Sequence, residues 1–308
     1  MRRTIGEFAT FLAVILLLVL YEWAGWQCGT APERPFSAGL LAAILLIATA
    51  LVLHLTADRA LCEMSLVVPF SFLILATANP AALYYTPLHT AALLLALSLF
   101  FLLDYCASHP TMGNLIATGL TLGASALFFP PLLWLAPFYG ALAIGRTEDK
   151  VRFFVAGVLA VALPLAAGIG VQSLLRTGTP GAFLPDLWLR MTDVVRPVFL
   201  YSAATLCRIF LTVLVAVLAI VRMRKRTHTY RTAQFRAMNR LILLTLLIAL
   251  LALLFLSDGK QPAGLITTLP VALLLNDLLG HPDHRKGTFT LIITLILVLV
   301  AERISYFV

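Results

Sequence analysis

Charge is scarce in this sequence. Asp, Glu, Lys and Arg together make up 12% of the 308 residues, about half the share carried by a soluble domain. With 61% hydrophobic residues and a mean hydropathy of +0.99, too little polar surface remains to cover a particle in water. The chain reads as a polytopic membrane protein. Metal- and thiol-directed spacing is also missing. The four cysteines, Cys28, Cys62, Cys106 and Cys207, form no C-x-x-C pair, so they read as small hydrophobes rather than zinc ligands or a redox couple. No G-x-x-x-x-G-K-[ST], H-E-x-x-H or G-x-S-x-G occurs, which leaves nucleotide-loop, zinc-protease and hydrolase-elbow chemistry without support. No cofactor is expected. No stretch is long enough to form a soluble domain, and no repeat of 20–50 residues is visible.

What is present is a series of apolar runs. A helix needs about 20 apolar residues to cross the hydrocarbon core, and cutting the chain at its charges, prolines and glycines yields eleven candidate spans. They fall near 5–23, 37–55, 61–78, 88–105, 114–129, 131–145, 153–175, 197–221, 241–257, 264–279 and 288–306. Met1-Arg2-Arg3 before the first run resembles the start of a signal peptide, but the run to Trp23 has no clear small-residue cleavage site and reads as an uncleaved span. The shortest runs, 131–145 and 264–279, are also compatible with re-entrant segments, so the count is ten or eleven.

The step Phe128-Phe129-Pro130-Pro131 decides the parity. As a turn between two spans, it places fifteen Lys/Arg on the side of the N-terminus: Arg2, Arg3, Arg59, Arg146, Lys150, Arg152, seven in 222–240, Arg285 and Lys286. The other side then holds six: Arg34, Arg176, Arg190, Arg196, Lys260 and Arg303. As a kink in one helix, it would leave eight with the N-terminus and thirteen opposite. Basic residues favour the cytoplasmic side, and a 32-residue helix would be about 48 Å long, well beyond a core of about 30 Å. The expectation is an all-α transmembrane bundle of about 11 spans, N-terminus inside, forming one domain over 1–308. It carries an extracytoplasmic amphipathic loop at 176–196 and a basic cytoplasmic loop at 222–240.

Ionisable groups inside the membrane are costly and mark candidate sites. Arg208, in the span 197–221, is the clearest, with three readings open: an acidic partner, a polar cavity, or snorkelling to the interface. Asp104, Asp277 and His54 fall at cytoplasmic span ends, where solvated or satisfied side chains are the ordinary outcome. No chain of Asp, Glu and His crosses successive spans, which disfavours a proton-coupled transporter. On the outer side, Glu22 and Glu33 flank an aromatic pair, Trp23 and Trp26, and Pro32 and Pro35 restrict the backbone around Glu33-Arg34. In 176–196, Leu184, Leu187, Trp188 and Met191 alternate with Asp186, Arg190, Asp193 and Arg196, as in a helix lying on a membrane surface. Arg176, Arg190, Arg196 and Lys260 are candidates for holding a lipid phosphate, against the ordinary reading of a solvated, lipid-contacting face. The basic loop 222–240 reads first as a topology determinant drawn to anionic lipid, and second as a dock for a membrane or cytosolic protein partner. Nucleic acid is not an expected partner. Gly119-x-x-x-Gly123 makes a smooth helix face, read as internal packing before dimerisation.

Two resemblances add to this reading. ANPAALYYTPLHTAALLLALSLFFLLDY, then HPTMGNLIATGLTLGASALFFPPLLWLAPFYGALAIG, and later SDGKQPAGLITTLPVALLLNDLL, resemble the middle and late membrane segments of GT-C glycosyltransferases over about 110 residues. The resemblance is one of pattern and implies a GT-C-like helix bundle that binds a polyprenyl-phosphate (sugar) lipid from the membrane. It implies Glu33 or Glu22 as the catalytic acid or base, and Lys260, with Arg176 or Arg190 as alternates, near the lipid phosphate. As an enzyme, the chain would be a polyprenyl-phosphate-sugar-dependent glycosyltransferase. The alternative is a non-catalytic scaffold or partner subunit of an envelope complex, and a third reading is a lipid or small-solute transporter. The length, span layout and the hairpin from Gly119 to Pro131 are also similar to an inner-membrane protein family of Bacteroidota, which implies a bacterial inner membrane and no mechanism.

Overall fold

The computed structural model describes residues 36–61, 67–78, 80–107, 111–144, 150–175, 203–225, 232–255, 264–280 and 300. Among them every regular element is helical: α1 Phe36–Thr56, α2 Val67–Ala76, α3 Pro87–Ala107, α4 Met112–Phe128, α5 Ala136–Ile144, α6 Lys150–Leu175, α7 Ala203–Lys225, α8 Thr232–Phe255 and α9 Gly264–Gly280. Five stretches are long and apolar enough to cross a membrane: 38–59, 87–107, 151–171, 206–224 and 235–252. This is a helical membrane protein, as its composition requires. A helix satisfies its own backbone groups where no water is available to do so.

Local chemistry sets the helix ends. Thr111 caps α4, its hydroxyl accepting from the Asn114 N–H at 3.3 Å. The same helix stops at Phe128 because Pro130 disfavours helical geometry at the residue before it. Phe129 is accordingly extended, with φ −142° and ψ 89°. The next six residues, Pro130–Leu135, form a 3-10 run that leads into α5, so the stretch 131–145 is not one regular α-helix. In the expected span 61–78 the helix stops at Ala76. Its α-helical part is Val67–Ala76, and Leu61 closes a π turn, Ala57–Leu61, that extends α1.

Helix directions follow from residue contacts. Asn114 Nδ2 donates to Asp104 Oδ2 at 2.9 Å and Ser98 Oγ to the Thr118 carbonyl at 3.2 Å, which makes α3 and α4 antiparallel. On α6, Gly157 lies beside Leu115, Ala160 and Gly157 beside Gly119, Val161 beside Gly123, and Gly168 beside Leu127. These pairs advance together, so α4 and α6 run parallel. The chain between them must therefore return across the bundle. The 3-10 run and α5, at about 2.0 and 1.5 Å per residue, supply about 25 Å for that return. The prolines mark a reversal rather than a kink. Parallel packing recurs between α7 and α9, where Arg208 meets Thr268 and Arg222 meets Leu278.

These directions sort the charges. One end of the bundle gathers the π turn, Asp104, the starts of α4, α6 and α8, and the end of α7. It carries Arg59, Lys150, Arg152, Arg222, Arg224, Lys225, Arg236 and Arg240. The opposite end gathers the start of α1, the turn 80–86, Phe129 and the starts of α7 and α9; of the described basic residues only Arg208 lies towards it. The core between them is almost entirely aliphatic, with Tyr105 and Phe72 its largest wholly buried side chains.

The α4–α6 contact generates a prediction. A Cβ on Gly123 would strike the Val161 backbone, and one on Gly119 would stand 2.7 Å from the Ala160 Cβ, whereas one on Gly113 would meet nothing within 4 Å. Gly123→Ala should lower stability by about 1–3 kcal/mol through overpacking and Gly113→Ala should not, as read by thermal unfolding in detergent. Equal effects would show that α4 and α6 do not meet there.

Candidate functional site

The deepest charge in the described structure is Arg208, only 9% exposed. It follows Ala203, the first described residue of α7, by five residues, about 7.5 Å along the helix axis. A guanidinium at that depth needs oxygen partners, and three helices supply them. Its Nη2 donates to the Leu75 carbonyl of α2 at 2.8 Å and its Nη1 to Thr268 Oγ1 of α9 at 3.3 Å. Thr268 in turn donates to the Gly264 carbonyl, and Thr212 Oγ1 donates to the Arg208 carbonyl at 2.9 Å.

The Leu75 carbonyl needs a partner because α2 stops one residue later, and the last carbonyls of a helix have no partner within it. Thr77 takes up the Leu73 carbonyl, through its backbone N–H at 3.0 Å and its hydroxyl at 2.8 Å. Arg208 takes up Leu75. A cation there also meets the negative end of the helix dipole. The guanidinium lies directly on the first residue of α9: the space a side chain at Gly264 would fill is held by Arg208 Nη1 and Cζ. Any larger residue there would have to displace it.

The neighbouring turn is closed by His89. Its Nε2 donates to the Ala82 carbonyl at 2.7 Å, and its Nδ1 then accepts from the Thr86 N–H at 3.1 Å, with Thr86 Oγ1 at 3.0 Å. Thr86 precedes Pro87 at the start of α3, so the His89 ring takes the part usual for Glu or Gln, accepting from the N–H of the cap residue. Tyr85 ties the turn to α1 by donating its N–H to the Ala38 carbonyl at 3.0 Å. Both nitrogens of His89 are engaged in holding the turn, which makes it a scaffold residue.

At the charged end, side chains tie helices together. Asp104 accepts from Asn114, Arg222 Nη1 donates to the Leu278 carbonyl near the end of α9 at 3.0 Å, and Arg240 Nη1 approaches Cys106 Sγ at 2.7 Å. The Arg59 guanidinium sits over the Phe100 ring, 5.3 Å from its centroid. His54 is half-buried in the last turn of α1.

Of the residues singled out in the sequence, Arg208 is placed and proves to be the hub of three helices. Glu22, Glu33, Arg176, Arg190, Arg196 and Lys260 lie outside the described residues, as does the side chain of Asp277. The sequence reading missed Gly264, Thr268 and the Leu75 carbonyl. The available signal was G-L-I-T-T, a glycine and two threonines at the head of an apolar run. Among the described residues no group of three His, Cys, Asp or Glu is placed to hold a metal.

Arg208→Met should strand the Leu75 carbonyl and cost about 1–3 kcal/mol, while Gly264→Ala should displace the guanidinium with a comparable loss. The double variant should be more stable than the sum of the two losses predicts, because without the guanidinium the new methyl group loses its two nearest obstacles. A double-mutant cycle from denaturant unfolding measures this, and additive losses would separate the two residues. No family model, curated protein or solved structure matches this chain.

Proposed function

We propose that this is a multi-pass protein of a bacterial inner membrane, related in fold to the GT-C-like bundles and to the Bacteroidota family its sequence resembles, with the charged end in the cytoplasm. In this reading the opposite end takes up a polyprenyl-phosphate (sugar) lipid. Eight of the described basic residues share one end, the asymmetry expected of a cytoplasmic face. The observation that carries the lipid reading is the parallel entry of α7 and α9 at the other end, joined by the buried Arg208. The segments that precede these two helices in the chain hold Arg176, Arg190, Arg196 and Lys260. In this reading these four cations bind the lipid phosphate. Arginine there offers a planar fork to phosphate oxygens. Glu33, with Glu22 as alternate, is the carboxylate for acid or base chemistry on a transferred sugar. Arg208 is a positioning residue that holds the starts of α7 and α9 in register.

Native mass spectrometry of gently purified protein tests this. A polyprenyl phosphate or its sugar-loaded form should co-purify at about one per chain and be lost from an Arg176→Gln/Arg190→Gln/Lys260→Gln variant. Glu33→Gln should retain the lipid and lose any transfer of sugar. Bulk phospholipid alone, unchanged in the variants, would overturn the reading.

A further inference from the structure

The charged end carries a second inference, independent of the outer lipid. We propose that it holds an anionic phospholipid of the adjoining leaflet by its phosphate, between the π turn Ala57–Leu61 and the first turns of α8, with Arg59, Arg236 and Arg240 as the phosphate ligands.

The π turn packs against both α3 and α8, which brings Arg59 to the helix that carries Arg236 and Arg240. The latter two are four residues apart, on one face of α8 within its first nine residues. Like charges at that spacing repel and destabilise a helix, and an anion lying between them reverses the sign of the interaction. The whole stretch 222–240 contains seven Lys/Arg and no Asp or Glu. Among the described residues the carboxylates on the elements packed here are Asp58, adjacent to Arg59, and Asp104, which is hydrogen-bonded to Asn114.

Depth selects the partner. Arg59 lies over Phe100 and Arg240 approaches Cys106, both on the apolar helix α3. The two guanidinium groups are therefore held against the last turns of a span, at the level of lipid headgroups, rather than out on a loop. Arg59 and Arg236 are exposed and Arg240 half-buried, which leaves donors facing that layer. A phosphate of the surrounding lipid reaches them directly, and the arginine fork matches its oxygens.

The test uses the full chain in nanodiscs that contain phosphatidylglycerol and phosphatidylcholine. Native mass spectrometry reads the lipid retained, and a photoactivatable phosphatidylglycerol maps the site. Wild type should retain phosphatidylglycerol preferentially and cross-link within 57–61 and 232–240. At about fivefold per arginine near the surface, Arg59→Gln/Arg236→Gln/Arg240→Gln should weaken retention about 100-fold. Arg152→Gln, on α6 away from this site, should change it little. The triple lysine variant keeps the charge and loses only the fork, so it should retain phosphatidylglycerol more weakly than wild type and more strongly than the glutamine variant, and it provides the answer if the glutamine variant fails to fold. Undiminished retention in either triple variant, an equal loss with Arg152→Gln, or capture of a soluble acidic protein without retained phosphatidylglycerol would overturn the proposal.

Discussion

A bilayer core contains no water to accept a stray hydrogen bond, and the described architecture follows from that constraint. Most of the chain meets it with uninterrupted helices. The point of tension is α2, which ends at Ala76 and leaves its last carbonyls without partners inside the helix. The Arg208 guanidinium resolves it by donating to the carbonyl of Leu75 and to the hydroxyl of Thr268, over a glycine that leaves it room. One cation thereby closes a helix end, joins α7 to α9 and fixes α2 against both. The same constraint accounts for the threonines: Thr49, Thr56, Thr118 and Thr245 are buried, and each returns its hydroxyl to the carbonyl four residues earlier.

Charge obeys the constraint in a second way, by leaving the middle of the bundle. Its distribution depends on the direction of every helix, and direction here turns on two prolines. Because Pro130 and Pro131 end α4 and begin a return, α6 runs parallel to α4 and the basic residues at its start, Lys150 and Arg152, join those of α7 and α8. Gly119 and Gly123 make that parallel contact close. Small residues matter in such contacts because lipid tails are as apolar as leucine, and helix association must come from packing.

Much of this was legible in the sequence because it rests on one-dimensional signals. Runs of apolar residues gave the helices, and the lysine and arginine count favoured reversal at Phe128–Pro131 over a kink. Arg208 stood out because a lone arginine in an apolar run is conspicuous. Its partners were not legible, since a backbone carbonyl at Leu75 carries no sequence signature and Gly264 looks like any glycine at a helix start. The stop of α2 at Ala76 was hidden for a related reason: an apolar run reports burial and says nothing of where the helix within it stops. The capping role of His89 was not legible either, because it depends on the Ala82 carbonyl, which only folding brings to its ring.

The bundle has two ends that differ in charge, with α4 and α6 entering from the same one. Single cysteines at Tyr84, Gly113, Phe128, Val151 and Arg224, in a cysteine-free background, can be probed in intact cells with a membrane-impermeant maleimide. Positions 113, 151 and 224 are predicted to be protected together, and 84 and 128 to be labelled together. Labelling of 151 with 113 still protected would mean that the chain does not return between α4 and α6, and would contradict the account at its base.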